Sequence, residues 1–359
     1  MQAADVVRMR LAHQGIARAA FRKPEHVVAW FGAVQAQDYL GSLWAVGLRT
    51  RGATQAAVEA AETRRAIVRT WPLRGTLHFV AADDARWMTR LLSPRVVARN
   101  AARWKRDFGV DPRSLAQADE IVSRALEGGR RLTREQLYAS LESRRIRTDA
   151  SRGLHFLLCL ALQGRLCLAG RVGKQHSFAL LDEWIPESRR LEGDEALAEL
   201  ALRYFASHGP ATQKDFMWWA GITARQASAA LDGARGKLVE AEVDGVRHWW
   251  VEPRKARGGA KLPGLLVELL PAFDEYTVAY QDRSLLVHGR APAPKMSLLS
   301  PAVLVNGQVA GTWRRRIEKR AVVVETALSR KLSRAETHAL GDAVRRYGEF
   351  LDTKARLGA

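Results

Sequence analysis

The sequence predicts a mainly helical α+β protein, and three observations carry that prediction. An order of three helices followed by two short strands recurs along the first 250 residues, and its two clearest copies carry matching Gly-basic-Leu steps at Gly164 and Gly236. Glycine-bearing turns separate the paired strands within each copy. After Pro263 the pattern changes to short apolar runs closed by a single capped helix. A chain of 359 residues also exceeds the roughly 250–300 at which one core stops growing, so more than one packed unit is required.

In the first third, helices are expected near 5–19, near 24–34 and near 54–63, with Pro24 suited to a first helical position. Strands follow at 66–71 and 75–80, then a helix over about 83–108. The second copy begins with a helix at 116–129. Thr133 and Gln136 have capping-box spacing for the next helix, and a third helix spans 153–163 and ends at Gly164. Its strands are 165–170 and 175–180, turning at Gly173-Lys174. The third copy has helices at 196–207, 212–219 and 223–232. Its strands, 236–241 and 246–251, are joined by Asp244-Gly245, a strong hairpin signal.

Three helices and a two-stranded wing is the winged-helix order. Three tandem winged-helix domains are therefore predicted, at 1–115, 116–187 and 188–254. Residues 253–264 read as a linker. Beyond it, strand-like runs at 265–270, 285–287, 302–305, 308–313 and 321–325 precede a helix capped by Ser333 and Glu336. That segment, 263–359, is predicted to be a small β-barrel-like domain with a C-terminal helix.

The formal charge is +19, from 57 basic and 38 acidic residues, and it is unevenly placed. Residues 1–110 carry a net +10 and residues 259–359 a net +6, whereas the middle is nearly balanced. A GC-rich genome favours Arg codons but does not explain that distribution. A polyanion, most simply nucleic acid, is the implied partner. No apolar run reaches the roughly 18 residues of a membrane span, and the N-terminus does not read as a signal peptide. Cys159 and Cys167 form neither metal spacing nor a disulfide framework, so a reducing cytoplasm is expected.

Standard catalytic signatures are missing: no HExxH, no Walker loop, no Rossmann fingerprint, no nucleophile elbow. The nine histidines are scattered, so neither a metal nor a cofactor is expected. Two stretches carry a resemblance instead. They are Trp30-Phe31-Gly32-Ala33-Val34-Gln35-Ala36-Gln37-Asp38-Tyr39 and Arg69-Thr70-Trp71-Pro72-Leu73-Arg74-Gly75-Thr76-Leu77-His78. With Pro271–Tyr276, Gln281-Asp282-Arg283, Asn306-Gly307 and Gly311-Thr312-Trp313, they resemble the AlkZ-like DNA glycosylases over nearly the whole chain. The resemblance implies tandem winged helices, a C-terminal β-barrel and a catalytic Gln-apolar-Gln motif, here Gln35-Ala36-Gln37. A sister branch has Asp at the second position; Gln37 sides this chain with the two-Gln branch.

The implied reaction is hydrolysis of the N-glycosidic bond of alkylated purines, chiefly N7-alkylguanine, including bulky adducts and interstrand crosslinks. Two neutral amides suit it. N7 alkylation makes the base a cationic leaving group, so no strong general acid is needed. The enzyme must place a water beneath C1′ and stabilise an oxocarbenium-like sugar, which amide oxygens can do. Residues two apart point about 200° apart in a helix but share a face in an extended segment. If Gln35 and Gln37 act on one water, the helix from Pro24 must end or distort near Val34.

In the hairpin 66–80, alternation sets Arg74, Thr76, His78 and Val80 on one face, and Leu73, Leu77 and Phe79 on the core face. Arg74 and His78, with Arg69 and Thr76, are candidate DNA contacts; the bland alternative is that Thr76 and His78 satisfy local backbone groups. Arg314, Arg315 and Arg316, with Lys319 and Arg320, are candidate phosphate contacts or a solvated basic face. Trp218, Trp219, Trp249 and Trp250 read as core, with stacking on bases the alternative. Asp38 reads as a helix cap or a partner for Arg, the alternative being that it orients a Gln or a water, and Asp274, Glu275, Asp282 and Arg283 read as a structural seam. A nucleoid-associated monomer is expected, because no heptad seam is present. The competing reading is a non-catalytic winged-helix regulator, with RNA binding a weaker third.

Overall fold

The computed structural model describes residues 1–252, 264–287, 299–319 and 321–358, so the expected linker at 253–264 lies outside them apart from Gly264, as does Arg320. The chain is a mixed α+β protein that divides into two compact units. One comprises Met1–Val58, Leu197–Trp219 and Thr223–Ala359; the other comprises Glu59–Ala196 and Ala220–Ile222.

In the second unit, strands run in the order Thr76–Ala81, Ile67–Leu73, Leu166–Val172, Gln175–Leu180, Leu132–Thr133. The pairing of Arg69 with Leu168 joins the first two hairpins into one sheet, so the strands expected in the first domain share a unit with those of the second. The 67–81 hairpin turns at Arg74-Gly75, both with positive φ (54° and 75°), as a two-residue type I′ turn requires. The core beneath the sheet gathers Val122, Leu126, Leu137, Phe156, Leu160 and Leu166 from helices Pro112–Leu126, Arg134–Glu142 and Arg152–Leu162 and the adjoining strand. The Thr133–Gln136 capping box forms as its spacing predicts: Thr133 N–H donates to Gln136 Oε1 at 2.9 Å, and Gln136 N–H to Thr133 Oγ1 at 3.4 Å. Cys159 and Cys167 are both buried free thiols, and burial pushes the Cys159 thiol up to about 12.

In the first unit, the hairpin Val239–Val243 with Val246–Trp250 turns at Asp244-Gly245, again with both φ values positive (50° and 75°). Its first strand starts later than expected because Arg235–Lys237 forms a 3-10 turn. Ala211, just ahead of the helix Gln213–Ala220, bridges Trp249 of that hairpin, as Leu132–Thr133 pairs with Phe178 and Ser177 in the other unit. These one- or two-residue pairings carry no periodicity and are invisible in the sequence. The N-terminal helix, Ala3–His13, ends before Gly15, whose φ of 66° continues no helix.

The C-terminal sheet has the order Lys354–Leu357, Ala321–Leu328, Gln308–Ile317, Ala302–Val305, Val267–Leu270. The expected barrel is corrected to an open sheet: among the described residues no ladder joins the two outer strands. The first two strands are parallel, so the chain must cross over between them, and the helix Arg334–Phe350 makes that crossing. It buries Leu340, Ala343, Val344, Tyr347 and Phe350. The expected strand at 285–287 is instead the 3-10 turn Ser284–Leu286.

A helix that the pattern did not predict, Tyr39–Arg49, is buried continuously from Ser42 to Arg49. Trp44 meets Tyr347 and Phe350 at ring-centroid distances of 5.1 and 5.0 Å and donates its indole N–H to Leu269 O at 2.7 Å. Gly47 makes this approach possible, because a Cβ there would overlap the Phe350 ring. Gly47→Ala is therefore expected to destabilise the folded chain by about 1–3 kcal/mol, read as a lower thermal midpoint, since overpacking forces the ring or the helix to move.

Candidate active site

The helix Pro24–Phe31 stops before the Gln-Ala-Gln tripeptide. Gly32 takes φ 77°, ψ −48°, and Ala33–Gln35 is extended. The helix thus ends about three residues short of the expected 34. Asp38 then occupies the N-cap position of the helix Tyr39–Arg49 without a side-chain cap bond. Gln35 is 8 % exposed, whereas Gln37 and Asp38 are open to solvent.

Gln35 is held at two points. Its backbone N–H donates to Glu275 Oε1 at 2.7 Å, and its side-chain Oε1 accepts the Gln37 N–H at 3.0 Å. Glu275 is 2 % exposed. Its second oxygen, Oε2, accepts the Trp219 indole N–H at 3.0 Å and lies 3.2 Å from His208 Nε2. His208 is fully buried, with Nδ1 2.8 Å from Ser207 Oγ and its ring stacked on Tyr204 at 4.8 Å. The preceding residue, Asp274, accepts the Tyr276 N–H at 2.9 Å and binds Arg49 through both oxygens at 2.8 Å. The remaining Arg49 N–H groups reach Gln14 O, Gln14 Oε1 and Ala45 O. All five donors of this buried guanidinium are thereby used.

Glu275, His208 and Trp219 are the residues that sequence reasoning missed at the site. Glu275 was expected to be a structural seam residue, and it is the acceptor for the motif's own backbone. It lies 240 positions from Gln35, so no spacing rule could join them. Trp218 also departs from its expected core role: it is 46 % exposed, its N–H donates to Val278 O at 3.0 Å, and Arg283 lies over its ring at 5.6 Å. Trp219 and Trp250 are buried as expected.

The other candidates are placed differently. Arg69 and His78 are buried, at 3 % and 1 % exposure, as is Val80, so the outward face that alternation predicted for this strand is covered. Thr76 Oγ1 donates to Leu73 O at 3.1 Å, and His78 Nδ1 lies 2.8 Å from Thr76 O, the local backbone role. Arg74 is partly exposed at the turn. Arg314 pairs with Glu325 at 2.6 Å, Arg316 with Glu318 and Glu325, and Arg315 donates to the Tyr347 hydroxyl at 2.7 Å. Much of that basic run is thus neutralised within its own sheet.

A family model of the AlkZ-like DNA glycosylases matches residues 28–350. The chain belongs to the AlkZ-like DNA glycosylase family. It is accordingly a DNA glycosylase, a hydrolase of N-glycosidic bonds. It is 26 % identical over 304 residues to the interstrand DNA cross-link repair glycosylase of Streptomyces sahachiroi, covering 80 % of this chain and 81 % of that one. The solved structure of the Streptomyces sahachiroi DNA glycosylase AlkZ has the same fold, with a TM-score of 0.79 at 22 % identity and all of both chains covered. Among the described residues, no helix of this AlkZ-like chain is long and apolar enough to cross a membrane.

The Arg69 contact has a consequence for stability. Arg69 Nη1 lies 2.9 Å from His176 Nε2, and burial, then the nearby Arg69 and Arg171 charges, hold the His176 imidazole down to about 4. The unfolded chain therefore takes up a proton that the folded chain refuses between about pH 6.5 and 4. Stability from this group is present above pH 6.5 and falls as the pH drops to about 4. His176→Gln keeps an acceptor for Arg69 and is expected to flatten the fall of the urea midpoint across that window.

Proposed function

We propose that this glycosylase excises cationic N7-alkylpurines from double-stranded DNA, with Gln35 and Gln37 as the catalytic pair. One observation carries the reading: the helix from Pro24 ends at Phe31 and the chain is extended over Ala33–Gln35, so Gln35 and Gln37 lie outside helical geometry and their amides are not forced about 200° apart. Gln35 Oε1 already accepts the Gln37 N–H, but a carbonyl oxygen has a second lone pair for a water. Gln37 extends into solvent, where a sugar can approach. In the proposed reaction the amide oxygens hold the nucleophilic water and face the positive charge growing on the sugar. The water oxygen bonds to C1′ as the C1′–N9 bond breaks, the departing cationic purine takes the electron pair and becomes neutral, and the extra proton of the added water passes to solvent. Placement and electrostatics supply the acceleration.

Bulky and crosslinked adducts fit the same reading. N7 lies in the major groove of a duplex, and the relative from Streptomyces sahachiroi is named for cross-link repair. We read the helical repeats as winged helices, on the strength of the short pairings that the second and third hairpins make with residues ahead of a helix of their own repeat. Arg74 and Thr76 at the hairpin turn, with whatever charge of Arg314, Arg315 and Arg316 escapes pairing, are proposed phosphate contacts. Arg69 and His78 support the hairpin from within. The enzyme is read as a monomer in the cytoplasm, needing no metal or cofactor.

Purified protein is expected to release 7-methylguanine from methylated duplex DNA in the presence of EDTA. Gln35→Ala and Gln37→Ala should each slow single-turnover release on the order of 10²-fold, as losing one preorganised polar group does, with DNA affinity changed less than about threefold. Wild-type rates in both variants would remove the motif from the active site. Affinity for unmodified duplex should fall steeply between low and moderate salt; a flat response would contradict a phosphate-dominated interface.

A further inference from the structure

We propose that Glu275, clamped by His208 and Trp219, is a positioning residue that aims the Gln35 and Gln37 amides. The inference rests on the catalytic reading of those two glutamines. The Gln35 N–H sits in a buried backbone shortly after a helix has ended, where a donor left without an acceptor is costly. Glu275 Oε1 satisfies it at 2.7 Å. A carboxylate only accepts, so the same group can collect further donors on its other oxygen. Trp219 and His208 occupy Oε2, and the carboxylate cannot rotate without giving up one of these bonds.

The clamp is itself held. His208 Nδ1 meets Ser207 Oγ at 2.8 Å, and Tyr280 donates its hydroxyl to His208 O at 2.8 Å. The imidazole also packs edge-on against Phe31 at 5.2 Å, the last residue of the helix that precedes the motif. One buried ring therefore braces both the end of that helix and the carboxylate that captures Gln35. From Glu275 the order passes outward through two bonds: carboxylate to Gln35 N–H, then Gln35 Oε1 to Gln37 N–H. Glu275 is buried at the inner end of this series, while Gln37 is exposed at the outer end. Its contribution is direction, and a misplacement of about 1 Å at a reacting group can cost 10²-fold in rate.

The test measures single-turnover release of 7-methylguanine at saturating enzyme, the DNA dissociation constant and the thermal midpoint. Glu275→Gln keeps the shape but sets an amide N–H₂ against donors; release should slow at least about tenfold with affinity within about twofold. Trp219→Phe removes one donor and keeps an aromatic ring, so a smaller loss of about threefold is expected and the readout survives if the first variant does not fold. In a Gln35→Ala background, Glu275→Gln should slow release by less than about twofold, because its effect passes through Gln35. Glu268→Gln, at a buried carboxylate paired with Arg346 at 2.7 Å, should change the midpoint and leave release unchanged.

Wild-type release by folded Glu275→Gln or Trp219→Phe would overturn the proposal. So would a full tenfold effect of Glu275→Gln in the Gln35→Ala background, which would mean the carboxylate acts by another route. If Gln35→Ala and Gln37→Ala release the base at the wild-type rate, the catalytic reading itself falls, an outcome distinct from failure of the Glu275 variants alone.

Discussion

The backbone N–H of Gln35 meets a carboxylate that water barely reaches, and the shape of the motif depends on that bond. A chain that leaves a helix inside a protein must find acceptors for its donors, and Ala33–Gln35 lies wholly inside. Glu275 answers at Gln35, while His208 and Trp219 offset the cost of burying its charge. The neighbouring Asp274 is tied to Arg49 by two bonds, so the short helix carrying Glu275 is anchored at its first turn. Removing a member of such a network leaves a buried polar group unmatched, which costs more than the bond contributes.

The proposed chemistry suits what the network presents. Neutral amides are weak acids and bases, and a reaction needing strong proton transfer to an ordinary purine would be poorly served by them. A base that carries its own positive charge removes that need. The protein's charge is then free to serve binding: +19 overall, weighted to the first third of the chain. Part of it is committed internally. Arg49 and Arg10 are buried, and Arg314 and Arg316 are paired with acids on their own sheet. Counting arginines therefore overstates the free positive surface.

Local features were legible in the chain. Pro24 at a helix start, the Thr133–Gln136 and Ser333–Glu336 boxes and the Asp244-Gly245 turn each depend on residues within a few positions of one another. Where both faces of an element are buried, the pattern failed. Tyr39–Arg49 is enclosed over most of its length, even at Arg49, so no polar stripe marks it as a helix. His78 and Val80 were assigned outward by alternation, and burial of their strand on that side removed the distinction. The barrel expected after Pro263 became an open sheet because short apolar runs specify strands but not closure.

By itself the sequence determined the composition of the machinery: a basic, mixed α+β chain with repeated helix-and-hairpin units, a helix starting at Pro24 ahead of Gln35-Ala36-Gln37, and the motifs of an AlkZ-like glycosylase. These follow from backbone preferences and side-chain chemistry acting over short range. Tertiary structure alone decided which buried groups meet the motif. Glu275 reaches Gln35 across an interval of 240 residues, His208 and Trp219 reach Glu275 across 67 and 56, and only the packed core brings each pair within bonding distance. The cost of burying an unpaired charge or amide, felt only once water is excluded, selects that meeting.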